Sequence, residues 1–139
     1  MNAVVIRLSR VAVSEELVKL GLKYGNKVKQ QVDIPGWIKI SPRFAKTCIR
    51  GLWDTDGCLY EEVHRKKNIE YRYPRLSFVS HSKPLLRSVF TILQKMDFSP
   101  KIRNNRSVNL ETKADIVRYF HLIGSSNKKH LRRYSKFVN

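Results

Sequence analysis

Acidic residues are scarce: 11 Asp and Glu stand against 28 Lys and Arg, a formal charge of +17. That imbalance constrains partners more than fold, and the partners it favours are polyanions, nucleic acid ahead of an anionic membrane surface. Long hydrophobic runs are also missing. Every apolar stretch is short and broken by Lys or Arg, so nothing approaches the roughly 20 residues a membrane-spanning helix needs. The opening "MNAVVIRLSRVAVSEELVKL" lacks the basic, apolar and small segments of a signal peptide. There are two cysteines, Cys48 and Cys58, and no Cys-x-x-Cys pair. With His64, His81, His121 and His130 scattered, zinc is disfavoured and the cysteines read as small apolar packers. Without a secretion signal, the expectation is an intracellular, reducing location and no disulfide.

What is present argues for a folded domain. The chain has 139 residues, 42% of them hydrophobic, with two Trp, six Phe and six Tyr. That is enough for one real core. "VVIRLS" (4–9) reads as a strand, and "SEELVKLGLKYG" as a helix capped by Ser14 and stopped near Gly25. "VDIPGWIKI" reads as extended. Ser41-Pro42 opens a helix that runs to about Asp54, because proline suits a first helical turn. Ala45, Ile49 and Leu52 form its core-facing stripe. Phe44, Cys48, Gly51 and Thr55 form a second stripe, which narrows to small residues. "CLYEEVHR" and "IEYRYPRLSFVS" read as antiparallel strands joined by "KKN", with Pro74 marking a bulge or an edge. "SKPLLRSVFTILQKM" is the clearest helix. "PKIRN" and "SVNLET" make a second hairpin across Asn104–Asn105, followed by the helices "KADIVRYFHLIG" and "KKHLRRYSKF". From Pro42 the order is αββαββα, an α+β arrangement.

"CIRGLWDTDGCLY" (48–60) then raises a physical question. Asp54 and Asp56 sit at the C-terminal end of a helix, where the macrodipole favours cations. A divalent cation would compensate, and a carboxylate with backbone and phosphate oxygens suits Mg²⁺. The competing reading is plain turn chemistry, in which Asp-x-Asp-Gly bonds its own backbone.

"IRGLWDTDG" resembles the signature of the LAGLIDADG homing endonucleases, with Ile49, Gly51, Leu52, Asp54, Asp56 and Gly57 in matching places. "IPGWI", "SHSKPLLRSVFTILQKMDF" and "YFHLIGSSNKKHLRRY" are similar to that family's half-domain as well. Arg50 and Trp53 depart from the pattern, being larger than its usual residues, which bears on how closely the helices pack. The resemblance implies an αββαββα half-domain over 41–139 whose curved antiparallel sheet forms a DNA-binding saddle. Residues 1–40 then resemble the strand-helix tail of a preceding half. A weak echo between 4–30 and 108–130, each running strand, helix, glycine and Asn-Lys, points the same way.

The same resemblance implies that two signature helices meet at a twofold axis through Phe44, Cys48, Gly51 and Thr55. One signature per chain then calls for a homodimer on a near-palindromic duplex. Asp56 would hold Mg²⁺ with the Thr55 carbonyl beside it, while Asp54 ties the helix end. Lys129, with Lys128 second, would stabilise the transition state. His81, with Ser80 and Ser82 as competitors, would position water. Base contacts belong to the sheet's solvent face. If Leu76 and Phe78 face inward, Arg75 and Ser77 face outward. If Ile102 faces inward, Lys101 and Arg103 face outward, with Asn105 and Asn109 flanking them. Arg72 belongs to the same sheet, and Lys128 opens the phosphate-binding tail. The rival to a nuclease is a catalytically silent relative, an RNA maturase on intron RNA or a DNA-binding regulator.

Overall fold

The computed structural model describes residues 9–138. The elements are α1 (Val11–Lys19), α2 (Gly36–Lys39), α3 (Pro42–Asp56), β1 (Gly57–Lys66), β2 (Ile69–Val79), α4 (Lys83–Lys95), β3 (Lys101–Arg103), β4 (Ser107–Leu110), α5 (Lys113–Leu122) and α6 (Lys128–Val138). From α3 to α5 this is the expected αββαββα order, an α+β half-domain on an open four-stranded antiparallel sheet ordered β1-β2-β4-β3. None of the described helices is long and apolar enough to cross a membrane.

The N-terminal expectations need correction. The strand expected at 4–9 lies almost wholly outside the described residues. α1 begins at Val11 rather than at Ser14, whose hydroxyl donates to Val11 O at 2.7 Å inside the helix instead of capping it. The stop is Gly21, not Gly25. Gly21, at φ +99°, lets its N–H reach Val18 O at 2.9 Å while Leu22 N–H reaches Leu17 O at 3.0 Å, a Schellman ending. "VDIPGWIKI" is not extended throughout, because its Gly36–Lys39 form α2.

α3 starts as read, with Pro42 first and Ser41 Oγ accepting from Phe44 N–H at 3.4 Å. Its buried seam is Ala45, Ile49 and Trp53, spaced i, i+4 and i+8; Leu52 is only half-buried at its edge. Trp53 packs its ring 5.3 Å from Phe78 on β2 and 5.5 Å from Tyr119 on α5, so the bulky departure faces the domain's own core. Leu59, Leu76, Phe78, Val108 and Leu110 complete one sheet face against Leu86, Val89, Leu93 and Ile116 from α4 and α5.

Two tight turns set the register. Lys67–Asn68 and Asn104–Asn105 all have positive φ: the first pair makes a two-residue turn between the paired Lys66 and Ile69, while Arg103 pairs with Ser107 across the three residues 104–106. The β1–β2 pairing runs unbroken from Gly57↔Phe78 to Lys66↔Ile69, with Pro74 opposite Glu61, so no bulge occurs. Pro74 is tolerated because β2 pairs with β4 only from Leu76 to Val79, which leaves its other edge free.

Candidate active site and nucleic-acid interface

The C-terminal end of α3 is clasped by the segment between α5 and α6. Asp54 accepts a bond from the Ser125 hydroxyl and another from Ser126 N–H at 2.8 Å. Asn127 Nδ2 donates to Asp54 O at 2.8 Å, and Asn127 Oδ1 in turn accepts from Lys129 N–H at 3.0 Å, capping α6. Arg50 donates to Ser126 Oγ at 2.6 Å and lies 3.9 Å from the Asp54 carboxylate, so this second departure is turned toward the clasp. The positive end of α6 thus abuts the negative end of α3, which is how the fold accommodates Asp54.

His130 extends the clasp past Asp56. It is buried, with Nε2 3.1 Å from Gly57 O. A carbonyl only accepts, so Nε2 carries the proton. Burial pushes this imidazole's pKa down, against the opposing pull of the Gly57 carbonyl and Asp54. Arg133, one turn on, donates to Leu59 O at 2.9 Å.

Asp56 differs from Asp54: it is exposed and takes no part in these bonds. Lys129 and Lys128 are exposed on the α6 turn that His130 fixes beside Gly57. His81 is exposed two residues beyond the end of β2, the strand whose Phe78 pairs with Gly57; its backbone carbonyl accepts from Gln31 Nε2 at 3.4 Å. Its competitors are engaged structurally. Ser82 is buried and donates to Val32 O at 2.5 Å, and Ser80 Oγ accepts from Ser82 N–H at 3.1 Å.

Among the described residues no three His, Cys, Asp or Glu side chains cluster as a metal-binding group. The exposed, unengaged Asp56 carboxylate at this site fits Mg²⁺, which takes one or two carboxylates and completes its shell with phosphate oxygens and water. It does not fit a metal that needs an all-protein cage.

On the sheet, register decides which candidates can meet a groove. Arg75, Ser77, Asn109, Lys101 and Arg103 share the face turned away from the core, as Ser77↔Asn109 and Lys101↔Asn109 require. Two of them cannot reach out. Ser77 and Asn109 are only 7% and 6% exposed, forming the floor beneath longer neighbours. Arg72 is a further correction. With no bulge at Pro74, parity puts it on the opposite face, bonded to Glu61 at 3.0 Å and Glu70 at 2.7 Å. There it lines a groove of about 530 Å³ with Pro74, Arg133 and Phe137. Asn105 is exposed on the β3–β4 turn.

Two residues on the open face escaped the sequence reading. Glu62 accepts from Arg75 Nε at 2.8 Å, and Glu111 holds both Arg103 and Lys101. The alternation that places Arg75 and Asn109 on this face places Glu62 and Glu111 there as well. Ser125, Ser126, Asn127 and His130 were likewise missed, although "GSSNKKH" follows Gly124 directly.

The small-residue stripe of α3 is open. Phe44 is 47% exposed, Cys48 is half-buried, and a Cβ added at Gly51 would meet no atom within 4 Å. Thr55 Oγ1 bonds back to Gly51 O and Leu52 O, both at 3.1 Å. Trp37 packs edge-on against Phe44 with centroids 5.5 Å apart.

A crystal structure of a homing endonuclease, I-TnaI, superposes on 74% of this chain and 69% of that chain, with a TM-score of 0.49 and 16% identity. No curated protein matches. The family model described as a LAGLIDADG-like domain matches residues 44–136, most of the chain, from the first turn of α3 into the last turn of α6. The chain belongs to the LAGLIDADG-like domain family.

Proposed function

We propose that this chain is a site-specific DNA endonuclease that hydrolyses phosphodiester bonds as a homodimer with Mg²⁺. The observation that carries this reading is the contrast between two carboxylates two residues apart. Asp54 is fully engaged by Ser125 and Ser126, whereas Asp56 is left in solvent beside the basic first turn of α6. Structural need explains the first and not the second.

Two copies joined through the α3 stripe would bring their Asp56 carboxylates to neighbouring phosphates on opposite strands. Mg²⁺, when bound there, supplies charge neutralisation and an activated water. Asp56 would hold the ion with the Thr55 carbonyl nearby, and Lys129 would face the charge that develops on the phosphate. His81 would orient the attacking water. Arg75, Lys101, Arg103 and Asn105 would face the major groove, with Lys128 on the backbone. The chain's charge of +17 supports a duplex as the polyanion.

The test is a randomised library of duplex targets incubated with wild type and with Asp56→Asn in Mg²⁺. Site-specific double-strand breaks by wild type alone are expected. Binding without cutting by both proteins would overturn the nuclease reading and leave a DNA-binding protein. Tighter binding of intron RNA than of any duplex at equal salt would favour a maturase.

A further inference from the structure

Glu111 lies just past β4, on the side of the strand that carries Ser107 and Asn109. Its side chain is only 11% exposed, and cations surround it. Oε1 accepts from Arg103 Nε at 2.8 Å and Oε2 from Arg103 Nη2 at 2.8 Å, a two-pronged grip. Lys101 Nζ is 3.1 Å from Oε2. The Glu111 carbonyl accepts from Arg75 Nη1 at 3.0 Å, and Arg75 Nε is held by Glu62 at 2.8 Å. One residue thus orders three of the cations on the open face.

A carboxylate is a poor companion for phosphate anchors. It cancels the charge that would attract the backbone and repels the phosphate that would arrive. It is compatible with a base edge, which is neutral and needs donors in fixed positions. The grip uses the Nε and Nη2 side of the guanidinium. What remains free is the outer edge formed by Nη1 and Nη2, two parallel donors on a side chain 55% exposed. That is the pattern O6 and N7 of guanine accept in the major groove. The Arg103 bonds also hold the Glu111 pKa down at about 2, so the carboxylate stays charged at any working pH.

We propose that Glu111 is a positioning residue for sequence recognition: it presents the free edge of Arg103 to one guanine in each half-site and discourages phosphate from taking its place. This rests on the reading of the open sheet face as the DNA-binding surface. Lys101 shares Oε2 with Arg103 Nη2 and is held beside it by the same carboxylate.

The test selects binding sites from a randomised duplex library with wild type, Glu111→Gln and Arg103→Lys, and measures affinity for a random-sequence duplex alongside. Wild type should enrich a motif with a fixed guanine in each half. Glu111→Gln should keep the rest of the motif, lose at least tenfold in preference at that guanine, and bind random duplex more tightly because one negative charge is gone. Arg103→Lys keeps the charge and lacks the fork, so it should relax the same position without that gain; it decides alone if Glu111→Gln fails to fold. A motif unchanged at guanine in the folded variants overturns this inference only, as does a loss spread evenly over all positions. A wild type that enriches no motif overturns the DNA-recognition reading, and this inference with it.

Discussion

His130 Nε2 lies 3.1 Å from the carbonyl oxygen of Gly57, which fixes the first turn of α6 to the residue directly after Asp56. Nε2 is the donor in this contact, and it is burial of the ring that disfavours an added charge there. Lys129 rides on that turn. The basic end of α6 and the acidic end of α3 are thereby held as one unit, whatever else binds there.

Acid should loosen that unit. The folded-state pKa of His130 is lowered by burial, so the unfolded chain binds its proton first as pH falls. The stability this histidine contributes is complete above the ordinary histidine pKa, near 6.5, and is lost as pH drops below it toward the folded value. Urea midpoints measured between pH 7.5 and 5.5 should therefore fall, and in His130→Gln they should be flatter over the same range. A wild-type midpoint that rises toward pH 5.5 would contradict the assignment.

The two aspartates should separate by experiment. Asp54→Ala removes the acceptor for Ser126 N–H, the Ser125 hydroxyl and the nearby Arg50, and should cost about 1–3 kcal/mol in denaturant unfolding. Asp56→Asn should leave stability unchanged or slightly higher, because an exposed anion at a helix C-terminus opposes the dipole. Cleavage should vanish in Asp56→Asn although the fold is intact. If both variants unfolded alike, the division of labour between structure and chemistry would be wrong.

How much of this was readable in advance depends on the range of each signal. Ser41-Pro42, Ala45 and Ile49 of the α3 seam, both hairpins and the α4 face are local patterns and emerge where the sequence places them, whereas the third seam position falls to Trp53 rather than to Leu52. Ser14 misled because a helix-internal serine and a capping serine look alike in sequence; only the Val11 carbonyl it bonds tells them apart. Arg72 could not be assigned a face until the register through Pro74 was known, because one extra residue would have flipped it. The same parity correctly put Ser77 and Asn109 on the open face, yet it says nothing of depth. The clasp of Ser125, Ser126 and Asn127 on Asp54 spans more than 70 residues, beyond any periodicity.

Binding should be strongly salt-dependent. α6 exposes Lys128, Lys129, Arg132 and Lys136, and a dimer doubles them. If roughly six to ten phosphates are neutralised, affinity for duplex DNA should fall by about three to five decades between roughly 50 and 200 mM salt. Fluorescence anisotropy across that range checks it. Charge-neutral substitutions of Lys128 and Arg132 should shallow the slope by about one unit per contact, without altering which sequence is preferred.

Gly51 gives the sharpest test of assembly, because its effects on the lone chain and on a dimer have opposite signs. A glycine inside a helix costs about 1 kcal/mol relative to alanine. A Cβ at Gly51 meets no atom within 4 Å, so the single chain has no reason to keep it. Gly51→Ala should therefore raise monomer stability by up to about 1 kcal/mol, and Gly51→Leu should fold without loss. If two α3 helices cross at Phe44, Cys48, Gly51 and Thr55, the leucine side chain would stand where the partner backbone has to pass. Sedimentation on a cognate duplex should then show wild type as two chains per DNA and Gly51→Leu as one, with cleavage lost in step. A Gly51→Leu protein that still sediments as a pair would move the dimer seam off this helix, and the small residues of the stripe would need another explanation.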